Sequence, residues 1–264
     1  MRPFAAFMKK EFLESVRTGR LMILMLLFVL FGIMNPAIAK LTPWLMEMFA
    51  DTMAESGLII TDIQVDAMTS WTQFFKNNPM ALIAFVLLSS DTFTKEYKNG
   101  TLLLVLTKGL ARFQVVLGKS ALLFSLWTFG YWLCFAITYG YNAYFWDNSI
   151  ARNLFPAALI WWLFGVWVIC LMILFSALLR NNTEVTLCIG GPVRFGYLCS
   201  FLPKLKAYLP TMLMNAVSLL SSMKENIEEN IGGIDTFQKA VIVTVILSII
   251  CLVVSIPVIN KKQL

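Results

Sequence analysis

Residues 89–119 read SSDTFTKEYKNGTLLLVLTKGLARFQVVLGK, a polar and basic stretch between two long apolar runs. The apolar runs on either side set the solvent. Of 264 residues, 59% are hydrophobic and 14% charged, whereas a soluble domain carries about 25% charged residues. Such a chain cannot clothe itself in polar surface, so lipid has to serve as part of its solvent. A bilayer core about 30 Å thick takes roughly 20 apolar residues per helix. Six segments meet or approach that length: 21–39, 79–94, 115–139, 155–179, 183–202 and 240–259. The expected fold is all-α, a polytopic membrane protein with six transmembrane helices. Little sequence remains for a soluble domain, which takes about 100 residues.

The charges give an orientation. With the amino terminus placed in the cytoplasm, thirteen basic residues fall inside: Arg2, Lys9, Lys10, Arg17 and Arg20; Lys95, Lys98, Lys108, Arg112 and Lys119; Arg180; Lys261 and Lys262. Seven fall outside: Lys40, Lys76, Arg152, Lys204, Lys206, Lys224 and Lys239. The bias follows the positive-inside rule and predicts both termini cytoplasmic. The net charge of +6 is thereby spread along inner membrane edges, where anionic lipid attracts each cation by about 1 kcal/mol. It is no sign of nucleic acid.

The organisation expected is a single domain over 1–264. Residues 1–20 form an amphipathic cytoplasmic helix, 40–78 an exterior loop, 95–119 a cytoplasmic segment and 203–239 a second exterior segment. In the first of these, Phe4, Phe7, Met8, Phe12 and Val16 recur at helical spacing, with Lys9, Lys10, Glu14 and Arg17 opposite. Trp44, Leu45, Met48 and Phe49 suggest a short interfacial helix in the first exterior loop, and Asn78-Pro79 reads as the start of the second span. That span turns polar at its inner end (Ser89, Ser90, Asp91, Thr92, Thr94), which predicts a face toward protein or a water-filled cavity. Gly190-Gly191-Pro192 predicts a kink or break in the fifth span. Arg194 follows it, about 16 Å along a helix starting near Thr183. Three readings stay open for Arg194: it faces a pathway, it meets a structural partner, or it snorkels outward. Residues 212–223 suggest a small helix against the outer face.

Several chemistries are excluded. The chain has no histidine, which removes His-based triads and HExxH metalloprotease sites. Its five cysteines, Cys134, Cys170, Cys188, Cys199 and Cys251, all lie in apolar runs without a CxxC pair and read as small core residues. The first apolar run starts only at Leu21 and is too long for the core of a cleavable signal peptide. Gly118-Lys119-Ser120 lacks the glycine that a phosphate-binding loop needs five residues before Gly118, where Phe113 stands.

Within 96–119, Asn99-Gly100-Thr101 is a turn and helix-start signal, Thr101 to Thr107 is apolar, and Gly109 ends the run. A plain re-entry loop with positive-inside charges accounts for this pattern too. The series Glu96, Gly100-Thr101-Leu102, Leu104, Thr107, Arg112 and Gly118-Lys119 resembles the cytoplasmic coupling segment of type-2 ATP-binding-cassette (ABC) export permeases. The start with Lys10-Glu11, the six spans, the large first exterior loop, and Phe201-Leu202-Pro203 and Tyr208-Leu209-Pro210 after the fifth span are similar too. The chain departs from the family at Gly109, where a proline is common.

The resemblance implies a permease subunit of an exporter, not an enzyme, in the plasma membrane of a bacterium. It implies partners: two cytoplasmic ABC ATPase subunits carrying ATP and Mg, a second permease subunit (identical or related), and membrane lipid. No cofactor or metal is expected on this chain. It assigns coupling to Glu96, Gly100, Thr101, Arg112 and Lys119, and it leaves Asp91 and Arg194 as residues of the pathway or subunit interface. The spans, rich in Phe, Met, Trp and Leu, suit an amphipathic peptide or drug-like cargo. A stand-alone secondary transporter or channel is the rival reading.

Overall fold

The computed structural model describes residues 2–48, 65–92, 94–95, 111–179, 181–220 and 234–261. Among them the ordered elements are all helical: α1 (Arg2–Arg17), α2 (Arg20–Met48), α3 (Ala67–Ser89), α4 (Arg112–Phe145), α5 (Leu154–Leu178), α6 (Asn182–Cys199), the single turn α7 (Pro203–Lys206) and α8 (Ile234–Lys261). Two 3₁₀ helices, Asn148–Ile150 and Pro210–Leu219, complete the set. α2 packs along both α3 and α4, α8 packs along α5, and α4 touches both groups. Four helices, α2, α4, α5 and α8, are long and apolar enough to cross a membrane. α3 and α6 are not among them. Ser70, Gln73, Lys76, Asn77 and Asn78 dilute the apolar character of α3, and α6 has only 18 residues with Glu184 and Arg194 among them.

Two expected boundaries move. The second span does not open at Asn78-Pro79. Asp66 caps α3 a dozen residues earlier by accepting the Thr69 amide at 3.0 Å, and Pro79 lies inside the helix. The first exterior loop is shortened from both sides, because α2 continues through Trp44 and Leu45 to Met48; residues 49–64 lie outside the described set. The physical reason is burial of α3's polar residues against neighbours. Asn77 Nδ2 donates to Asn35 Oδ1 at 2.8 Å, Asn35 Nδ2 donates to Thr138 Oγ1 at 3.2 Å, and the Thr138 hydroxyl donates to the Gly32 carbonyl at 3.0 Å. This ladder joins α2, α3 and α4 and satisfies groups that would otherwise cost about 1–3 kcal/mol each to bury.

Of the kink or break expected at Gly190-Gly191-Pro192, the break is absent, for α6 runs through all three residues. A proline removes one intrahelical hydrogen bond and crowds the carbonyl four residues earlier, and membrane helices tolerate this where local adjustment re-satisfies the backbone. Of 212–223, the described part belongs to the 3₁₀ helix, whose Met212, Leu213, Ala216 and Leu219 are buried against α5 and α8.

The core is aromatic. Trp127 meets Phe28 and Phe85 edge to face, with ring centroids 5.9 and 5.5 Å apart, and Trp71 joins Phe74 and Phe135. Such pairs contribute about 0.5–1.5 kcal/mol beyond their buried area. Tyr131 donates to the Ala158 carbonyl at 2.8 Å and Trp127 to that of Trp162 at 3.2 Å, while the buried Trp161 Nε1 has no partner among the described residues. Phe28 lies over Gly130 and Trp127 over Gly165, where any side chain would strike the ring.

Candidate functional site

Five helices, α1, α2, α4, α6 and α8, make side-chain ties among themselves or to residues 91–94, close in sequence to 96–110. The amphipathic helix is present, but its buried line differs from the expected apolar stripe. Phe7, Glu11 and Ser15 face inward, spaced one turn apart, while Phe12 and Val16 are exposed. Two features of α4 cause this. Gly118 lets the Phe7 ring rest on the helix, since a Cβ there would sit 2.8 Å from it. Lys119 then reaches Glu11. Its Nζ donates to Glu11 Oε2 at 2.8 Å and to the Thr92 carbonyl at 3.0 Å. The Lys119 and Glu11 side chains are 3% and 4% exposed.

A buried ion pair repays its desolvation only when the remaining protons and lone pairs are also satisfied. Here Lys10 Nζ donates to the other Glu11 oxygen at 3.0 Å and contacts Glu14 Oε2 at 2.9 Å. Burial raises the pKa of Glu14, but the Lys10 hydrogen bond and charge, joined by Lys119 and Lys95, outweigh it and hold the carboxyl below its ordinary value.

Around this pair the other helix ends are tied in. Arg20, the first residue of α2, pairs with Asp91 and donates to Thr92 Oγ1 at 2.9 Å. The Thr94 hydroxyl meets Asn182 Oδ1 at the start of α6. Arg112, the first residue of α4, donates to the Ile259 carbonyl near the end of α8 at 3.1 Å. A cavity of about 20 Å³ lies among Glu11, Ser15, Arg20, Thr92 and Lys119, enough for a single water. The Ser15 hydroxyl borders it, buried and with no partner among the described residues. The residues flanking 96–110 on both sides are thus held by α1, α2, α6 and α8.

Of the residues singled out from sequence, Lys119, Arg112 and Asp91 come to this end of the bundle. Glu96, Gly100 and Thr101 lie outside the described residues. Arg194 sits apart, exposed beside an apolar cleft of about 270 Å³ between α3, α5 and α6. The sequence reading missed the roles of Glu11, Arg20 and Thr92. The one available signal was an acidic residue, Glu11, at helical spacing from Phe7 on the border of the apolar face. Among the described residues no cluster of His, Cys, Asp or Glu is arranged to hold a metal ion.

No curated protein and no solved structure matches the chain. A family model does. It is that of the ABC-2 family transporter proteins, and it matches residues 5–258, from α1 to the end of α8. The helical membrane bundle and the tied helix ends beside residues 96–110 are therefore those of a chain that belongs to the ABC-2 transporter family.

Proposed function

We propose that the protein is the membrane-spanning permease subunit of an ABC exporter, driven by separate ATPase subunits. Two permease subunits, identical or a related pair, form the translocation pathway. Two cytoplasmic ATPase subunits bind ATP and Mg. α3 and α6 complete six spans with both termini cytoplasmic, and the complex sits in a bacterial plasma membrane. The cargo is an amphipathic peptide or drug-like compound.

The observation that carries this reading is the Lys119 hub. Residues 96–110 join Lys95 to Ala111 in the chain. Lys119 ties Thr92, shortly before that segment in sequence, to α1 through Glu11. Arg20 ties Asp91 to α2, and Arg112, just after the segment in sequence, is tied to α8. A push on the segment carrying Glu96, Gly100 and Thr101 is passed to several helices at once. Closure of the ATPase pair would thereby bias the bundle between two arrangements, as differential binding requires. Asp91 takes part in this hub through Arg20, which supports a coupling role for it over one in the pathway.

Affinity purification of the tagged protein from native membranes in mild detergent tests the proposal. The expected result is a stoichiometric ATPase-sized partner, lost when Glu96 and Arg112 are replaced together. A preparation without any ATPase that still transports in vesicles would overturn it in favour of a stand-alone transporter.

A further inference from the structure

Arg194 lies about 18 Å from the start of α6 and about 8 Å from its end, at the rise of an α-helix. Arg194 is exposed and lines the apolar cleft between α3, α5 and α6. Pro79, Val86, Phe164, Val168, Ile189 and Gly190 line that cleft beside it. Among the described residues nothing hydrogen-bonds or ion-pairs with Arg194. With α6 as one of the six proposed spans, a cation along it carries an insertion cost, about 2.5–3.5 kcal/mol at a helix centre, which an anionic partner would offset.

A second copy of the chain is poorly suited to supply one. Two copies inserted in the same sense bring Arg194 to the same depth. The acids of α2, α6 and α8 lie near helix ends, at Glu47, Glu184 and Asp235, and α3, α4 and α5 have none. The cleft volume, about 270 Å³, is just below the roughly 300–1,000 Å³ of pockets that hold drug-sized ligands. That has room for one apolar tail or ring system.

We infer that the cleft binds a single-tailed amphiphile with an acidic head, the tail lying between α3, α5 and α6 and the head paired with Arg194. Arginine suits this task because its planar fork meets a carboxylate or phosphate through two parallel hydrogen bonds and is weakly hydrated. The inference rests on the transport reading for its meaning as cargo recognition, and it sets the sign of that cargo: anionic amphiphiles are taken, cationic peptides repelled.

The test uses the full chain with its native partners in nanodiscs. The probe is a long-chain fatty acid with a diazirine in its tail, compared with the corresponding primary amine and methyl ester. Cross-linked peptides are mapped by mass spectrometry. The acid should label residues 79–86 and 186–194 about tenfold more than the amine or ester, the size expected of a hydrogen-bonded charge. Arg194→Gln should abolish that preference and Arg194→Lys should keep most of it. Gly190→Phe should reduce labelling with the charge intact, since Gly190 lines the cleft and a Cβ there meets nothing within 4 Å, leaving room for a ring.

Equal labelling by acid and amine would overturn the inference, as would a preference unchanged in Arg194→Gln. Displacement of the acid by an equal mole fraction of phosphatidylglycerol would overturn it too, because the occupant would then be bilayer lipid. The expected pattern in a preparation that carries no ATPase would leave the binding inference standing and sink the transport reading instead.

Discussion

Lys119 and Arg194 are both cations on helices of an apolar bundle, and their surroundings are opposite. Lys119 is buried, donates to Glu11 and to the Thr92 carbonyl, and joins three stretches of chain. Arg194 is exposed, borders an apolar cleft, and has no partner among the described residues. A charge satisfied within its own chain fixes how helices sit relative to one another. A charge left for something outside the chain selects what binds. Sequence places both residues in polar interruptions of apolar runs and cannot tell these cases apart, because the deciding partner of Lys119 is 108 positions away.

The largest effect should come from breaking the satisfied charge on one side only. Glu11→Ala leaves Lys119 buried beside fewer acceptors, and losing one partner of a buried pair costs about 3–5 kcal/mol. The expected result is a sharp fall in melting temperature and in monodisperse yield after solubilisation. The double variant Glu11→Leu with Lys119→Met should recover much of that stability, since an apolar replacement of a buried pair is often neutral. If that double variant is as stable as the native protein yet no longer transports, the hub acts in coupling and not merely in folding.

A smaller effect is expected in the core that both ends share. Gly165→Ala places a methyl against the Trp127 ring, and overpacking of this kind costs about 1–3 kcal/mol. A thermal melt in detergent reads it directly, and an unchanged melting temperature would mean that Trp127 can shift away.

Arg194→Gln should leave the melting temperature nearly untouched, within about 0.5 kcal/mol, as for an exposed side chain without structural partners. A drop as large as that of Glu11→Ala would mean that Arg194 is structural after all, and the contrast with Lys119 would disappear.

The smallest effect belongs to Glu14. Its carboxyl is held below the ordinary value of 4.5, mainly because Lys10 outweighs the penalty of burial. A depressed folded-state value adds stability that is complete above the unfolded value and fades as pH falls through the folded one. The contribution is therefore present at neutral pH and lost below about pH 4.5. For a partly exposed pair it amounts to less than about 1 kcal/mol. Melts of the native protein and Glu14→Gln should differ slightly at about pH 6 and draw together as the pH falls through the lowered value, and the difference at pH 6 should shrink in high salt.

Much of the candidate site was legible. Lys119 and Arg112 stood out through the motif they share with related permeases, and Asp91 through a polar patch at the end of an apolar run. Arg194 stood out as a charge beyond a Gly-Pro stretch. Their partners were not legible. Glu11 reads as one more charge on an amphipathic helix, because periodicity reports which residues share a face but not what that face touches. Phe7 and Phe12 look equivalent in sequence, yet Phe7 is buried on Gly118 and Phe12 is exposed. The start of α3 was misplaced for a related reason. The polar residues before Pro79 look like loop, and they are helical because Asn35, itself held by Thr138, bonds Asn77, and because Ser70 and Asn78 are buried within the bundle.

Composition and run length together pointed to a helical membrane protein, since 59% hydrophobic and 14% charged residues call for lipid as solvent, and apolar runs of roughly 20 residues suit helices and not barrel strands. The order of motifs along the chain was enough to point to its family. The tertiary structure alone decided which charges are spent inside the bundle and which remain for a ligand. That outcome depends on distances between residues far apart in sequence, and on glycines such as Gly118 that admit one neighbour at one place.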